Sequence, residues 1–403
     1  MTSTISTERR RFLVSQLRER LWVRPLLVCL LSIGAAFFAK LIDDTGLGRY
    51  VPEVTTESVE MLLSVMAASM MVIATFSVAS MVSAYAAASN TATPRSFALV
   101  VADDASQNAL SAFVGAFIFS IVALTAVKNG YFGSAGIFIL FVLTVLVFTM
   151  VIFTFVRWVD GIARLGRIGS TLEKVEKATG EALKRRRNAP ALQGSAARAR
   201  PAGQAVFANQ VGYVQHIDVE TLHGWAEKAD VRVLVAALPG TFATPERPLA
   251  YVVTEREGQP VPECECVVEA FDVATDRRFD DDPRFGLVVL AEIAGRSLSP
   301  AINDPGTAIE VLGRMGRLFY LWSQPATNQD EHWTLYERVE VPEVSVRDMF
   351  DDAFTVIARD GAGQACWPRI CQRFVCPRPG RGSACHRTGT DLHESRPPVE
   401  GRV

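Results

Sequence analysis

The chain has 403 residues, 49% of them hydrophobic, and a formal net charge of −2. That near-neutrality is a sum of unlike regions: residues 1–24 carry six Arg against two Glu, 157–200 eleven basic side chains against four acidic, and 205–360 thirteen against twenty-seven. The acid-rich second half repels phosphodiester backbones and excludes nucleic acid as a partner, while the apolar residues crowded into the first 160 positions exclude a wholly soluble protein.

Residues 1–21 read as a basic cytoplasmic N-terminus. Arg9-Arg10-Arg11-Phe12-Leu13 is similar to a twin-arginine export signal. Arg18, Arg20 and Arg24 interrupt the apolar stretch that should follow, and no small-residue cleavage site appears, so the segment reads as retained. Residues 22–158 form a transmembrane region with four apolar segments at about 22–42, 61–89, 109–127 and 134–156. A helix rises about 1.5 Å per residue and the hydrocarbon core is about 30 Å thick, so roughly 20 apolar residues suffice to cross it. Met61–Ser89 exceeds that length without one charged side chain.

Loop 43–60 holds Arg49 alone among Asp43, Asp44, Glu53, Glu57 and Glu60, whereas both ends of the apolar block are basic. The positive-inside rule then puts both termini in the cytoplasm. No ionisable residue lies in the middle of any segment, which argues against a proton-coupled pump. The second segment holds Ser69, Ser77, Ser80 and Ser83 among many alanines. Small residues at helical spacing serve close helix packing, and hydroxyls also line wet pores.

Residues 159–204 read as a basic juxtamembrane helix and a linker. The run LEKVEKATGEALKRRR has helical spacing, and its cations suit anionic lipid headgroups at about 1 kcal/mol each. A plain topology anchor is the competing reading. Residues 205–361 then read as an acidic, mixed α+β cytoplasmic domain. Strands are expected at Gly212-Tyr213-Val214, at alternating Val231, Val233 and Val235, and at Leu249–Thr254, and Asp218 is placed to cap a helix running to Lys228. Cys264 and Cys266 read as nearby positions on a strand.

Asp282-Pro283 and Asp304-Pro305 each place an N-cap before a proline, opening PRFGLVVLAEIAGRSLS and TAIEVLGRMGRLFYLW. Glu292 and Arg296 are spaced for an i,i+4 pair, and Asp280, Asp281 and Asp282 read as a solvated turn and cap. Between the two helices, Arg296, Ser299, Asn303, Asp304 and Thr307 form a candidate ligand-binding site, because free amides at a helix start attract anions. The competing reading has Asp304 capping, Asn303 turning and Arg296 paired with Glu292.

The combination of four apolar segments, Pro94-Arg95, GYVQHID, PGTFATPERPLAYV, DDPRFG and RSLSPAINDP resembles the bacterial predicted membrane proteins grouped as domain of unknown function 2254. The resemblance covers roughly residues 15–360. It implies an integral inner-membrane protein with a cytoplasmic C-terminal domain and supplies no activity, cofactor or catalytic residue. The loop VADDASQNAL is less basic than the family's usual version.

His216 and His223 lie seven apart, flanking one short helix, and read as packed or solvated rather than as metal ligands. No Walker loop, G-x-S-x-G, H-E-x-x-H or dinucleotide fingerprint occurs, so neither an enzyme nor a cofactor or metal site is expected. Residues 362–403 hold Cys366, Cys371, Cys376 and Cys385 at spacings unlike a zinc module, and read as an unstructured, out-of-frame tail beginning near Gly361. The expected function is a membrane-anchored ligand- or partner-binding protein, a sensor or scaffold, with homo-oligomers as an option. The alternative is an oligomeric pore gated by the cytoplasmic domain.

Overall fold

The computed structural model describes residues 26–31, 33–34, 52, 54–91, 93–97, 99, 104–164, 167–197, 203–254, 262–326 and 335–362. The basic N-terminus and the tail beyond residue 362 lie outside them. Of the first apolar segment, 26–31 and 33–34 are helical and the remainder lies outside the described residues.

Among the described residues, three helices are long and apolar enough to cross a membrane: α1 (Thr56–Thr91), α2 (Asp104–Lys128) and α3 (Ser134–Arg164). The turn at Asn129–Gly130, with Gly130 at φ +66°, joins α2 to α3. The bundle core is drawn from all three helices. Leu63, Met66 and Met70 of α1 meet Phe113, Ala116 and Phe119 of α2 and Leu140, Val151 and Trp158 of α3. The Trp158 ring takes Phe76, Phe113 and Phe155 at centroid distances of 6.2, 6.2 and 6.0 Å, the edge and tilted geometries that ring quadrupoles favour. Leu62, Val65, Val72, Val82, Leu146, Phe153 and Val156 point outward from the bundle. That is the pattern of helices whose solvent is lipid.

The rest of the described chain is a mixed α and β region with two apolar cores. In the first, a five-stranded sheet has the order β1-β8-β4-β6-β2, from β1 (Gly194–Ala196), β2 (Gln204–Phe207), β4 (Val231–Val235), β6 (Pro248–Thr254) and β8 (Tyr336–Val341). β8 pairs parallel to β1 and β4, and β6 pairs antiparallel to β4 and β2. A second sheet sets β3 (Gly212–Ile217) between β5 (Phe242–Ala243) and β7 (Phe271–Ala274). Helix α5 (Val219–Ala229) covers β4 and β8. It starts where Asp218 accepts a hydrogen bond from the Thr221 amide at 3.0 Å and stops at Asp230, in the left-handed region. Cys264 and Cys266 correct a strand expectation: they flank and enter a short helix, α6 (Glu265–Glu269).

The second core is helical. Helix α7 (Phe285–Leu298) is wrapped by α4 (Ile168–Asn188), α8 (Pro305–Ser323) and α9 (Val346–Gly361). It is buried on nearly every side, with Val288, Glu292 and Arg296 left half-buried as a narrow stripe. Asp282 does cap it, through the amides of Arg284 and Phe285 at 3.1 Å each, but the helix begins at Phe285, two residues after Pro283. Helix α4 supplies Leu172, Val175 and Leu183 to this core, and β1 joins the sheet. The mixed α and β region therefore draws on residues that the charge pattern alone assigns to a juxtamembrane helix and linker.

Candidate functional site

The two apolar cores outside the three-helix bundle meet at the last turn of α4, where Arg186 is buried, Arg187 half-buried and Arg185 exposed. Arg185 donates to the Asp280 carbonyl, Arg187 Nη1 donates to the Leu321 carbonyl at 2.7 Å, and Arg186 is only 3% exposed. Facing them is the turn 276–284. Within it Arg277 clamps the Asp282 carboxylate from Nε and Nη2, both at 2.7 Å, and lies over the Phe285 ring at 5.1 Å. Arg278 Nε donates to Asp280 at 3.2 Å. From β3, the nearly buried His216 joins its Nδ1 to Asp281 at 2.7 Å. A glycine is required at 240, where φ is +91° and an added Cβ would stand 2.6 Å from the Asp282 carboxyl carbon. Asp282 is thus buried in a charge cluster, which corrects the solvated reading for that residue, while Asp280 and Asp281 stay partly exposed on the turn.

Electrostatics follow from this burial. Desolvation lowers the Arg186 guanidinium to about 10, against the pull of Asp281 and Asp282. Burial also pushes the Asp282 carboxyl upward, while Arg277 and two backbone amides oppose it. Arg186 Nε, Arg186 Nη1 and Arg187 Nε are buried and have no hydrogen-bond partner among the described residues. Buried guanidinium donors left unpaired are costly, so the arrangement suits an acceptor that the described residues do not supply. The charge run KRRR is the signal that sequence reasoning had in hand, but burial depends on packing between segments far apart in the chain.

The residues picked from sequence fall elsewhere. In the 296–307 connection Asp304 and Thr307 come together: the Asp304 carboxylate accepts from the Thr307 amide at 3.2 Å and from its hydroxyl at 2.6 Å. Those bonds hold the Asp304 carboxyl below its usual range, and they put a carboxylate at the α8 N-terminus, where an incoming anion would sit. Asn303 makes the turn in the left-handed region at φ +50°, with its amide on the Ser299 carbonyl. Arg296 lies half-buried on the last turn of α7. His216 and His223 do not share a helix face. His216 sits on β3, while His223 on α5 packs against Tyr336 and accepts from the Arg338 amide at 3.4 Å. Among the described residues no group of three or more His, Cys, Asp or Glu is placed to hold a metal ion.

In α1, Ser77 is buried and donates to the Ile73 carbonyl at 2.8 Å, and Ser69 donates to Val65 at 2.6 Å. Ser80 is half-buried and Ser83 exposed. Ser111, Ser120 and Thr144, which sequence reasoning passed over, are equally buried and likewise bond the carbonyl one turn back, the local satisfaction that hydroxyls find inside apolar helices.

The membrane and soluble parts touch through the connection after α1. Arg95, in the 3-10 turn Pro94–Ser96, pairs with Glu292 of α7, and Leu99 packs against the helical core.

The family described as "Predicted membrane protein (DUF2254)" matches residues 18–367. The chain belongs to this family. Uncharacterized proteins of Mycobacterium tuberculosis and Mycobacterium bovis are similar to this DUF2254 chain, at 29% identity over 110 residues. That stretch is 27% of this chain and 21% of the relatives' own length. No solved structure matches the chain.

Proposed function

We propose that this DUF2254 protein is a non-catalytic sensor or scaffold of the bacterial inner membrane. Four helices span the bilayer, both termini are cytoplasmic, and the mixed α and β region is the cytoplasmic ligand- or partner-binding part. The observation that carries the reading is the seat of residues 93–99 on the soluble helices, through Arg95 with Glu292 and through Leu99. A change in the packing of α7 reaches the end of α1 directly along that contact, which is the physical requirement for passing a signal between the two parts. The contact also keeps the α1–α2 connection and the soluble region on one face of the bilayer, in accord with the charge distribution.

Lipid is the first partner, and the exposed Lys177 in the first half of α4 is left for anionic headgroups. The net acidity of residues 205–360 keeps nucleic acid away. Ion or solute flux through liposomes holding the purified protein tests the class. The sensor reading expects no flux above empty liposomes. Flux that Ser77→Leu and Ser80→Leu abolish would instead identify the gated oligomeric pore.

A further inference from the structure

The charge cluster at the end of α4 sets the buried Arg186 against Asp281 and Asp282, with Arg185 on the Asp280 carbonyl and Arg187 on the Leu321 carbonyl. The aspartates have already spent their best geometry: Asp282 on Arg277 and two amides, Asp281 on His216, Asp280 on Arg278. What is left over is donor capacity. Two of the three Arg186 nitrogens and Arg187 Nε are buried without an acceptor among the described residues. Donors buried this way are costly unless something with acceptor oxygens arrives.

We propose that the α4–β3 junction around Arg186 and Arg187 is a binding site for a phosphate-class oxyanion. A phosphate or phosphomonoester carries up to two negative charges and three or more acceptor oxygens, which matches the orphan donors. A soluble anion fits better than a lipid headgroup. Arg186 lies 18 residues beyond the start of α4, about 27 Å along the helix axis, and it is 3% exposed inside the soluble region. The anion reaches the site by displacing the turn 276–284, whose ordering then reports occupancy. That this anion is the signal passed to the membrane rests on the sensor reading above; its binding does not.

The test uses the full-length protein in detergent, in phosphate-free buffer, with inorganic phosphate added against chloride at equal ionic strength. At a hundred times its Kd, phosphate is expected to raise the unfolding midpoint by about 5–10 °C and to slow hydrogen exchange in 276–284. Arg186→Met, which replaces a buried cation with an apolar chain of similar length, is expected to fold and to lose both effects. Should that variant fail to fold, Arg187→Met and the exchange measurement on the wild-type protein carry the test. Equal midpoints in phosphate and chloride, or a phosphate shift that survives Arg186→Met, would overturn the site. A shift produced by phosphatidylglycerol nanodiscs but not by free phosphate would overturn the soluble-ligand assignment. Phosphate binding that leaves the Arg95–Glu292 contact unchanged would uphold the site and remove its role as signal.

Discussion

Gly286→Ala probes the packing that everything on the soluble side depends on, because α4 and α7 cross at this residue. An added Cβ would overlap Thr179 Oγ1 and stand 2.7 Å from Thr179 Cβ and 2.8 Å from its Cγ2. Thr179 is buried, and its hydroxyl donates to the Val175 carbonyl at 2.6 Å. Rotating its side chain cannot relieve the contact with Cβ, so the helices must part by about 0.7 Å, a gap that forfeits a quarter to a half of each dispersion contact along the crossing. Overpacking of this kind costs about 3 kcal/mol, the upper part of its usual range. For a unit of this size that lowers the unfolding midpoint by roughly 6–12 °C, readable by differential scanning fluorimetry on the purified protein. Thr179→Ala added to Gly286→Ala is expected to recover less than half the loss, since the Cβ contact stays. A midpoint within about 2 °C of wild type for Gly286→Ala would refute the close crossing of α4 and α7.

Glu176 ties α4 to α8 through Arg314 at 2.6 Å and Arg317 at 2.7 Å. Burial pushes its carboxyl up, but the hydrogen bonds from the two arginines outweigh that and hold it below the usual range. A carboxyl depressed in the folded state contributes stability that is present above its unfolded pKa and is lost as pH falls through the folded one. Thermal midpoints measured from about pH 5 to below pH 4 should therefore fall less steeply in Glu176→Gln than in wild type. Asp304→Ala removes both bonds to Thr307 and the α8 cap, and should cost about 1 kcal/mol, or about 2–4 °C, in the same fluorimetric assay.

Features written in local chemistry were legible from the residues. Val231, Val233 and Val235 alternate because β-branched side chains suit a pleated strand, and β4 spans Val231–Val235. Asp218 and Asp304 announce caps because a short carboxylate reaches its own helix start, and both do so. Three uncharged apolar runs are helices for want of any other way to satisfy their backbones in lipid. What stayed hidden depends on distant partners. β1 finds β8 about 140 residues later in the chain, and Arg95 finds Glu292. Arg186 belongs to a run that reads as a membrane-surface collar, and only the arrival of 276–284 and β3 makes it an interior charge. Asp282 was picked out as a cap and is one, yet its burial against Arg277 and Gly240 left no trace in its neighbours' identities.

Arg95 pairs with Glu292 of α7 and Leu99 packs on the same helical core, and the proposed topology puts that contact on the cytoplasmic face. In a variant with its native cysteines replaced, Arg95→Cys and Glu292→Cys should be joined by a short bismaleimide in native membranes. Tyr131→Cys, in the turn at the other end of α2, should not cross-link to Glu292→Cys and should alone react with an impermeant maleimide added from outside the cell. A Tyr131–Glu292 product, or impermeant labelling of Glu292→Cys from outside, would contradict the claim.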